Sequence, residues 1–245
     1  MTDASHAEMV HRLPRAGLVD RIEMLTRLVR GRRVIHVGFV DAGFEEMQAR
    51  SEEWLHEHMA GSAKELIGID IDAAGVEAAR RRGYEAYELD CRDTAAVAAL
   101  GLQPADLVIA GEVLEHVDDP AAFLEGLHAL VNEQGSLVVT VPNATGLLNT
   151  VAALIGREVQ HPDHVAMYTW QTLTNLLGRH RWKTTQVATF VREVKVDQSA
   201  PLGVRLLGLG ARMVRWIEWF LGKLGVPFLA EGLIVVARPE SGNDS

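Results

Sequence analysis

The sequence predicts a doubly wound α/β fold, in which a mostly parallel sheet of seven strands carries helices on both faces and ends in an antiparallel hairpin. Short apolar runs alternate with segments of helical period as far as residue 141, and this alternation is typical of parallel strands joined by helical crossovers. In the last third, two strand-like segments enclose one long helical segment, which predicts the hairpin. A length of 245 residues suits a single domain over 1–245 with additional segments.

The strands are expected at short apolar runs, because such runs suit strands that are buried on both faces of a parallel sheet. Gly38, Asp70 and Asp90 mark the ends of the first three runs. The predicted strands are residues 34–37, 66–69, 85–89, 107–110, 137–141, 182–194 and 233–237.

The helices are expected where apolar side chains recur every three to four residues. Ser51 is a suitable N-cap for one helix, Gly83 ends another, and Asp119 followed by Pro120 opens a third. The predicted helices are residues 18–29, 51–60, 73–82, 94–100, 120–134, 144–155, 169–179 and 206–224. The additional segments are a helical extension at 1–31, a lid over the substrate at 144–168 and an amphipathic aromatic helix at 203–224.

Composition and charge exclude several classes of protein. Hydrophobic residues make up 48% and charged residues 23% of the chain, which is ordinary for a globular domain and excludes fibrous or wholly disordered proteins. The net charge of −9 makes nucleic acid a poor partner, because phosphate binding needs a basic surface. Cys91 is the only cysteine, which excludes a disulfide scaffold. The chain shows neither a signal-peptide pattern nor a membrane-spanning apolar run, so a cytoplasmic protein is expected.

Acidic residues follow the ends of several predicted strands, and open α/β sheets bind ligands at that edge. The carboxylate of Asp70 is suited to accept hydrogen bonds from a ribose diol. Its alternative role is the N-cap of the following helix, for which Asp72 is better placed. Ile71 is expected to pack on an adenine ring or in the core, and Asp90 or Cys91 to border the same ring.

The glycines after the first strand argue against a dinucleotide. Gly38 and Gly43 do not form the G-x-G-x-x-G motif that cradles a pyrophosphate. The 32 positions from Gly38 to Asp70 also exceed the spacing of about 20 that dinucleotide-binding folds show. A nicotinamide or flavin enzyme is therefore disfavoured, whereas a nucleoside without phosphates is compatible with this loop.

Two segments carry a resemblance to a known family. They are ADLVIAGEVLEHVDDPAAFLEGLHALVNEQGSLVVTVPNATGL, residues 105–147, and HVAMYTWQTLTNLLGRHRW, residues 164–182. Both resemble the class I S-adenosylmethionine-dependent methyltransferases, and especially the branch that includes the ubiquinone-biosynthesis O-methyltransferases, over about residues 33–190. The resemblance implies a Rossmann-like methyltransferase fold with S-adenosylmethionine as the cofactor.

The same resemblance implies cofactor contacts for the positions that match. Glycine backbone would approach the cofactor, one carboxylate would hold the ribose, two residues would line the adenine and two would lie under the cationic sulfonium. In that order, these residues are Gly38, Asp70, Asp90 with Cys91, and Gly111 with Glu112.

The first motif departs from the family pattern. His36 stands where the family usually has an acidic residue, and Val40 and Ala42 replace two of its usual glycines. We therefore expect Asp41, His36 or His56 to take over the contacts to the methionine end of the cofactor. The HVGF motif and the Trp-Leu-His segment that ends at His56 resemble a subset of these enzymes associated with glycans or secondary metabolites.

Two histidines are candidates for the catalytic base that a hydroxyl acceptor would need. His116 follows the fourth strand, and its alternative roles are to cap the next helix or to bind Glu115. His164 belongs to the lid, where its alternative role is to anchor that loop. A metal held by Glu115, His116 and His164 is conceivable, but their spacing matches no recognised metal motif, so no metal is predicted.

The predicted activity is S-adenosylmethionine-dependent methyl transfer to a hydroxyl oxygen of a small molecule or saccharide. The alternatives are N-methyl transfer to a small molecule and a non-catalytic paralogue that acts as a binding or scaffold protein. In the C-terminal helix, Trp216, Trp219 and Phe220 form an aromatic stripe. We expect this stripe to belong to the core or the pocket wall, with a homodimer face and peripheral membrane contact as alternatives.

Overall fold

We describe residues 10–40, 54–194, 199 and 201–240 of a computed structural model of the chain. This part contains one sheet of eight strands, one more than the sequence predicts. The strands are Gly17–Val19 (β1), Arg33–Val37 (β2), Glu65–Asp70 (β3), Glu85–Glu88 (β4), Ala105–Gly111 (β5), Val131–Pro142 (β6), Trp182–Phe190 (β7) and Gly232–Pro239 (β8).

The order of the strands confirms the doubly wound topology. Across the sheet the order is β1-β7-β8-β6-β5-β2-β3-β4. All neighbouring strands are parallel except β8, which runs antiparallel to both β6 and β7, so the predicted hairpin is confirmed. The order reverses between β2 and β5, and a crevice opens at the carboxyl ends of strands at such a switch point.

Helices lie along both faces of this sheet, as predicted. Side chains that alternate along one strand belong to opposite clusters of the core: Leu107 and Ile109 pack on one face, while Val108 and Ala110 pack on the other. The helices are Arg21–Val29 (α1), Leu55–Ala60 (α2), Ala73–Arg81 (α3), Thr94–Ala99 (α4), Pro120–Leu127 (α5), Leu147–Leu154 (α6), Trp170–Arg179 (α7) and Leu202–Lys223 (α8). None of the described helices is long and apolar enough to cross a membrane. Ser51, the expected N-cap of α2, lies outside the described residues.

The N-terminal extension contains a strand that the sequence analysis missed. Residues 17–19 pair in parallel with β7 and form the edge of the sheet. Helix α1 begins only at Arg21, because the side chain of Asp20 accepts a hydrogen bond from the backbone N–H of Glu23 and caps the helix there. The sequence analysis assigned Leu18 to the helix predicted over residues 18–29. Its side chain instead packs against Gly222 of α8, so its burial does not depend on a helix.

The helix predicted over residues 120–134 ends earlier than expected. The α-helix stops at Leu127, one 3₁₀ turn follows, and β6 begins at Val131, which pairs with Ala105. An added Cβ on Gly135 would lie 3.0 Å from the carbonyl oxygen of Ala105, so the glycine permits a close approach between β5 and β6. Leu130 and Val131 are buried, and this burial accounts for the apolar spacing that suggested a longer helix.

Gly126 sets the distance between α5 and the loop after β4. An added Cβ would overlap the backbone carbonyl of Cys91, and backbone cannot move aside as a flexible side chain can. We expect Gly126→Ala to lower the free energy of unfolding by about 3 kcal/mol, measured by urea denaturation. Gly178 in α7 is the matched control, because nothing lies within 4 Å of its added Cβ. Gly178→Ala should leave stability unchanged or raise it by up to about 1 kcal/mol, and equal losses in both variants would contradict this account.

Candidate active site

A cleft of about 760 Å³ lies at the carboxyl ends of β2, β3, β5 and β6. Gly38, Asp70 and Ile71 line one part of it, while His116 and His164 line another. The strand order reverses at this position, so the cleft lies where the topology predicts a ligand site.

Gly38 ends β2 with its backbone in the left-handed region, at a φ of 69°. Its N–H donates a 2.8 Å hydrogen bond to the carbonyl oxygen of Ile69 in the neighbouring strand. An added Cβ would overlap the side chain of Val113. Both the conformation and the space therefore require glycine, and its backbone lines the cleft as predicted.

The carboxylate of Asp70 lies at the floor of the cleft and is 9% exposed. Its Oδ2 accepts a hydrogen bond from the backbone N–H of Val40 at 2.9 Å, and its Oδ1 accepts one from that of Asp72 at 3.0 Å. Burial raises the pKa of Asp70, while these backbone donors oppose the shift. Asp72 caps α3 through the N–H of Ala74, so the helix-cap alternative applies to Asp72. Two firmly held acceptor oxygens suit a ribose diol.

The residues around Asp70 divide into those that reach the cleft and those that do not. Ile71 is 68% exposed and lines the cleft, so it is not a core residue and is available to an adenine ring. Asp90 instead forms an ion pair with Arg92 at 2.7 Å. Cys91 is buried in the core, where burial raises its thiol pKa to about 12. Neither of these two side chains lines the cleft, and their contact with an adenine ring stays a prediction.

Glu112 lies beside the cleft and is held by two arginines. Its Oε2 accepts from Arg192 at 2.7 Å and from Arg21 at 3.3 Å. Arg192 also contacts Glu231, which in turn contacts Arg215. Glu112 adopts the left-handed conformation, with a φ of 56°, which is uncommon for residues other than glycine. The sequence analysis named Glu112 but missed the arginines, because they come from elements far apart in the chain.

His36 and His56 form a buried pair below the cleft. Their Nδ1 atoms lie 3.2 Å apart and their rings stack at 5.4 Å between centroids. An added Cβ on Gly111, which lines the cleft, would lie 3.6 Å from Nε2 of His36. A hydrogen bond between two Nδ1 atoms needs one donor and one acceptor, which two neutral rings supply. Neither ring lines the cleft, their contact with the methionine end of the cofactor stays a prediction, and Asp41 lies outside the described residues.

The aromatic rings of Phe39, Trp54 and Tyr84 surround His56. Burial lowers the pKa of His56 to about 3, and burial, His56 and Arg21 together lower that of His36. The unfolded chain therefore takes up protons first as the pH falls below about 6.5. The stability that neutral imidazoles provide is complete above that pH and decreases as the pH falls toward 3.

We expect the free energy of unfolding to fall by about 2 kcal/mol per buried histidine between pH 7 and pH 5. His56→Phe keeps a ring among the aromatic neighbours and removes one titrating group. Urea denaturation across this pH range should give a shallower pH dependence for the variant than for the wild type. If the free energies of unfolding of the two proteins change equally with pH, His56 does not contribute the expected pH dependence.

Three imidazoles meet on the side of the cleft formed by the lid. Ring nitrogens of His116, His161 and His164 all lie within 4.8 Å of one another. Nδ1 of His116 lies 3.2 Å from the carbonyl oxygen of Asp163, and Nδ1 of His164 lies 3.3 Å from Oε1 of Gln160. An oxygen acceptor requires each Nδ1 to carry the proton, so Nε2 carries the lone pair. Burial and the neighbouring imidazoles lower the pKa of His164.

Glu115 connects the segment that follows β5 to the lid, residues 144–168. Its backbone carbonyl accepts hydrogen bonds from the N–H groups of Val165 and Ala166 at 2.9 and 3.2 Å, which holds the lid over the cleft. Its side chain is 1% exposed, and neither carboxyl oxygen has a partner among the described residues. Burial raises its pKa to about 8, so this carboxyl is largely protonated at neutral pH. His116 contacts Asp163; neither of its alternative roles, helix cap or partner of Glu115, is observed among the described contacts.

Comparisons with known proteins agree with this geometry. A family model described as a methyltransferase domain matches residues 41–187. Among curated relatives, the ubiquinone biosynthesis O-methyltransferase of Xylella fastidiosa strain 9a5c is 34% identical over 107 residues, which cover 42% of this chain and 43% of that protein. The protein of the same description from Rhodopseudomonas palustris strain BisA53 is 38% identical over 80 residues, 32% of each chain. The chain spans less than half of the length of these relatives.

Solved structures show the same fold at low sequence identity. The magnesium protoporphyrin IX methyltransferase of Synechocystis, with bound S-adenosylhomocysteine, superposes with a TM-score of 0.55 and 14% identity, covering 89% of this chain and 82% of that one. A putative methyltransferase of Bacillus halodurans superposes with a TM-score of 0.56 and 11% identity, covering 90% and 99%. The predicted resemblance and S-adenosylmethionine as the cofactor are thus confirmed. The chain belongs to the methyltransferase domain family.

Proposed function

We propose that the protein transfers a methyl group from S-adenosylmethionine to a hydroxyl oxygen of a small molecule or saccharide. One observation supports this proposal most directly: a single cleft holds ribose-type acceptors on one side and imidazoles with free lone pairs on the other. Methyl transfer from S-adenosylmethionine needs a deprotonated acceptor atom, the methyl carbon and the sulfur to lie in one line. The two sides of the cleft suit the cofactor and the acceptor.

On the cofactor side, Gly38 would pass close to the cofactor with its backbone and Asp70 would accept hydrogen bonds from the ribose hydroxyls. Ile71, exposed in the cleft, would cover one face of the adenine. Gly111 and Glu112 line the cleft between this region and the imidazoles. When bound, the cofactor would supply an electrophilic methyl on a cationic sulfur. The Oε1 atom of Glu112, which has no partner among the described residues, suits such a cation.

On the acceptor side, His116 would remove the hydroxyl proton. The contact between its Nδ1 and the carbonyl of Asp163 leaves Nε2 as the basic atom. His164, in ring contact with His116 at 4.7 Å between centroids, would position that ring or share the proton. Both roles need neutral imidazoles, which histidine provides near pH 7.

A divalent cation is the second candidate role for the same imidazoles. Three neutral histidine ligands are a common zinc site, and the nitrogens of His116, His161 and His164 are close enough to converge on one ion. The sequence analysis considered Glu115, His116 and His164 as ligands and predicted no metal, because their spacing matches no recognised metal motif; His161 was not part of that set.

Removal of metal by a chelator separates the two roles. If His116 acts as a base, activity should persist after dialysis against a chelator. Loss of activity that added Zn²⁺ or Mn²⁺ restores would assign the imidazoles to a cation, which lowers the pKa of a bound hydroxyl.

The nature of the acceptor atom is tested by release of S-adenosylhomocysteine with a panel of phenols, catechols, saccharides and amines. Methyl-labelled S-adenosylmethionine identifies the product by mass. We expect turnover with hydroxyl acceptors. Turnover with amines alone would favour N-methyl transfer, and cofactor binding with no turnover on any acceptor would favour a non-catalytic paralogue.

A further inference from the structure

The C-terminal helix α8 exposes a long row of large apolar side chains to solvent. Of its residues, only Val214 and Glu218 are buried. Large apolar side chains spaced three or four residues apart form one continuous stripe along the helix and its C-cap, with exposed fractions between 44% and 68%. The residues of this outward stripe are Leu202, Leu206, Leu209, Met213, Trp216, Phe220 and Leu224. Seven residues over six turns correspond to a stripe about 33 Å long.

This outward stripe corrects the first expectation for the aromatic residues. Trp216 is 61% exposed and Phe220 is 44% exposed, with their rings stacked on each other, so they are not in the core. Neither residue lines the cleft. Apolar patches of this extent are rare on the surfaces of monomeric proteins and mark interaction sites.

The charges on α8 indicate what the stripe contacts. At helical spacing, Arg212 and Lys223 fall on one flank of the stripe, and the ammonium of Lys223 lies 5.8 Å from the centre of the Trp219 ring. The only acidic residue between positions 201 and 226 is Glu218. It is fully buried, where it accepts from Arg215 and from the backbone N–H of Leu148. The outward side of the helix is thus cationic, although the whole chain carries −9.

An anionic bilayer surface is complementary to this arrangement. Helices that lie in the membrane interface combine an apolar face with Trp and Phe and a flank of Lys and Arg. A second copy of the chain fits less well, because its own α8 would bring the same cations and no exposed acid. We propose that the outward stripe of α8 docks the protein onto an anionic lipid bilayer, with the helix axis parallel to the surface.

Docking through α8 would also place the cleft near the bilayer. Arg215 of α8 and Leu148 of α6 both line the cleft, and the two helices are joined by the hydrogen bond from the N–H of Leu148 to Glu218 at 3.0 Å. The helix that carries the docking surface therefore also contributes to the wall of the cleft.

Co-sedimentation of the full chain with lipid vesicles tests the proposal without reference to methyl transfer. We expect binding to vesicles of equal parts phosphatidylcholine and phosphatidylglycerol, weaker binding to phosphatidylcholine alone, and loss of the difference at high salt. Trp216→Glu should weaken binding more than about tenfold. Arg212→Gln should weaken binding to the anionic vesicles by about fivefold and leave binding to neutral vesicles unchanged.

Leu13→Glu is the matched control, because Leu13 is 54% exposed outside α8 and the change adds the same charge. Its vesicle binding should equal that of the wild type. Light scattering in solution tests whether a second copy of the chain packs on the outward stripe instead. A dimer that Trp216→Glu dissociates, together with no vesicle binding, would overturn the proposal in favour of a second copy. Vesicle binding that Trp216→Glu does not change would overturn it as well.

Discussion

Replacement of Asp70 by Asn is expected to weaken the affinity for S-adenosylmethionine by about 10- to 100-fold, with the fold intact. The carboxylate oxygens of Asp70 are already oriented by the backbone N–H groups of Val40 and Asp72, so they reach a ribose diol without reorganisation. Hydrogen bonds to a charged group contribute about 1.5–3 kcal/mol. The neutral amide of Asn lacks that charge, and its NH₂ group would face the backbone N–H of either Val40 or Asp72, which is itself a donor. Calorimetric titration with the cofactor measures the change.

Asp106→Asn is the matched control for this prediction. The carboxylate of Asp106 also accepts two hydrogen bonds, from the N–H of Arg33 and from the side chain of Asn132, but it stands near the start of β5, at the opposite edge of the sheet. The control should keep the wild-type affinity. If both variants bind the cofactor as the wild type does, Asp70 is not the ribose ligand.

His116→Ala is expected to lower kcat by about 100- to 10,000-fold, which is the usual contribution of a positioned base, while the affinity for the cofactor is retained. The reason is geometric: the imidazole lies on the lid side of the cleft, and the contact with the carbonyl of Asp163 leaves its Nε2 free to take a proton. Single-turnover rates and calorimetry on the same preparation separate the two effects.

His11→Ala serves as the control, because His11 is an exposed histidine outside the cleft. Its kcat should match the wild type. An unchanged kcat in His116→Ala would remove this residue from the mechanism, whereas a parallel loss of cofactor affinity would show that it belongs to the cofactor side.

The ends of the parallel strands could be predicted from the sequence, and with them half of the site. Apolar runs that stop at a glycine or an aspartate identify both a buried strand and the edge at which it ends, so Gly38 and Asp70 were placed correctly. Those residues depend on local pattern alone. The short edge strand β1 was missed because three residues are too few to show a period of their own.

The other half of the site depends on contacts between distant segments. His161 joins His116 and His164 only because the lid folds back and pairs its backbone with Glu115. The spacing of His161 and His164, three residues apart, was the one local signal. Arg192 reaches Glu112 across 80 positions of sequence. The sequence analysis placed Arg192 within the strand predicted over residues 182–194, whereas β7 ends at Phe190.

The exposure of α8 shows the same limit in another form. An amphipathic period is identical in sequence whether its apolar face points inward or outward, because the pattern fixes the face and not its partner. The composition of the helix still carried a clue. Its single acid, Glu218, lies on the side opposite the apolar stripe and is buried in ion pairs with Arg215.

The central claim is that one cleft is divided into a cofactor side at Asp70 and an acceptor side at His116. Calorimetric titration of S-adenosylhomocysteine into the wild type, Asp70→Asn and His116→Ala tests this division most directly. We predict one binding site in the wild type, much weaker binding in Asp70→Asn and wild-type affinity in His116→Ala. Equal loss of affinity in both variants, or no binding to the wild type at high micromolar ligand, would contradict it.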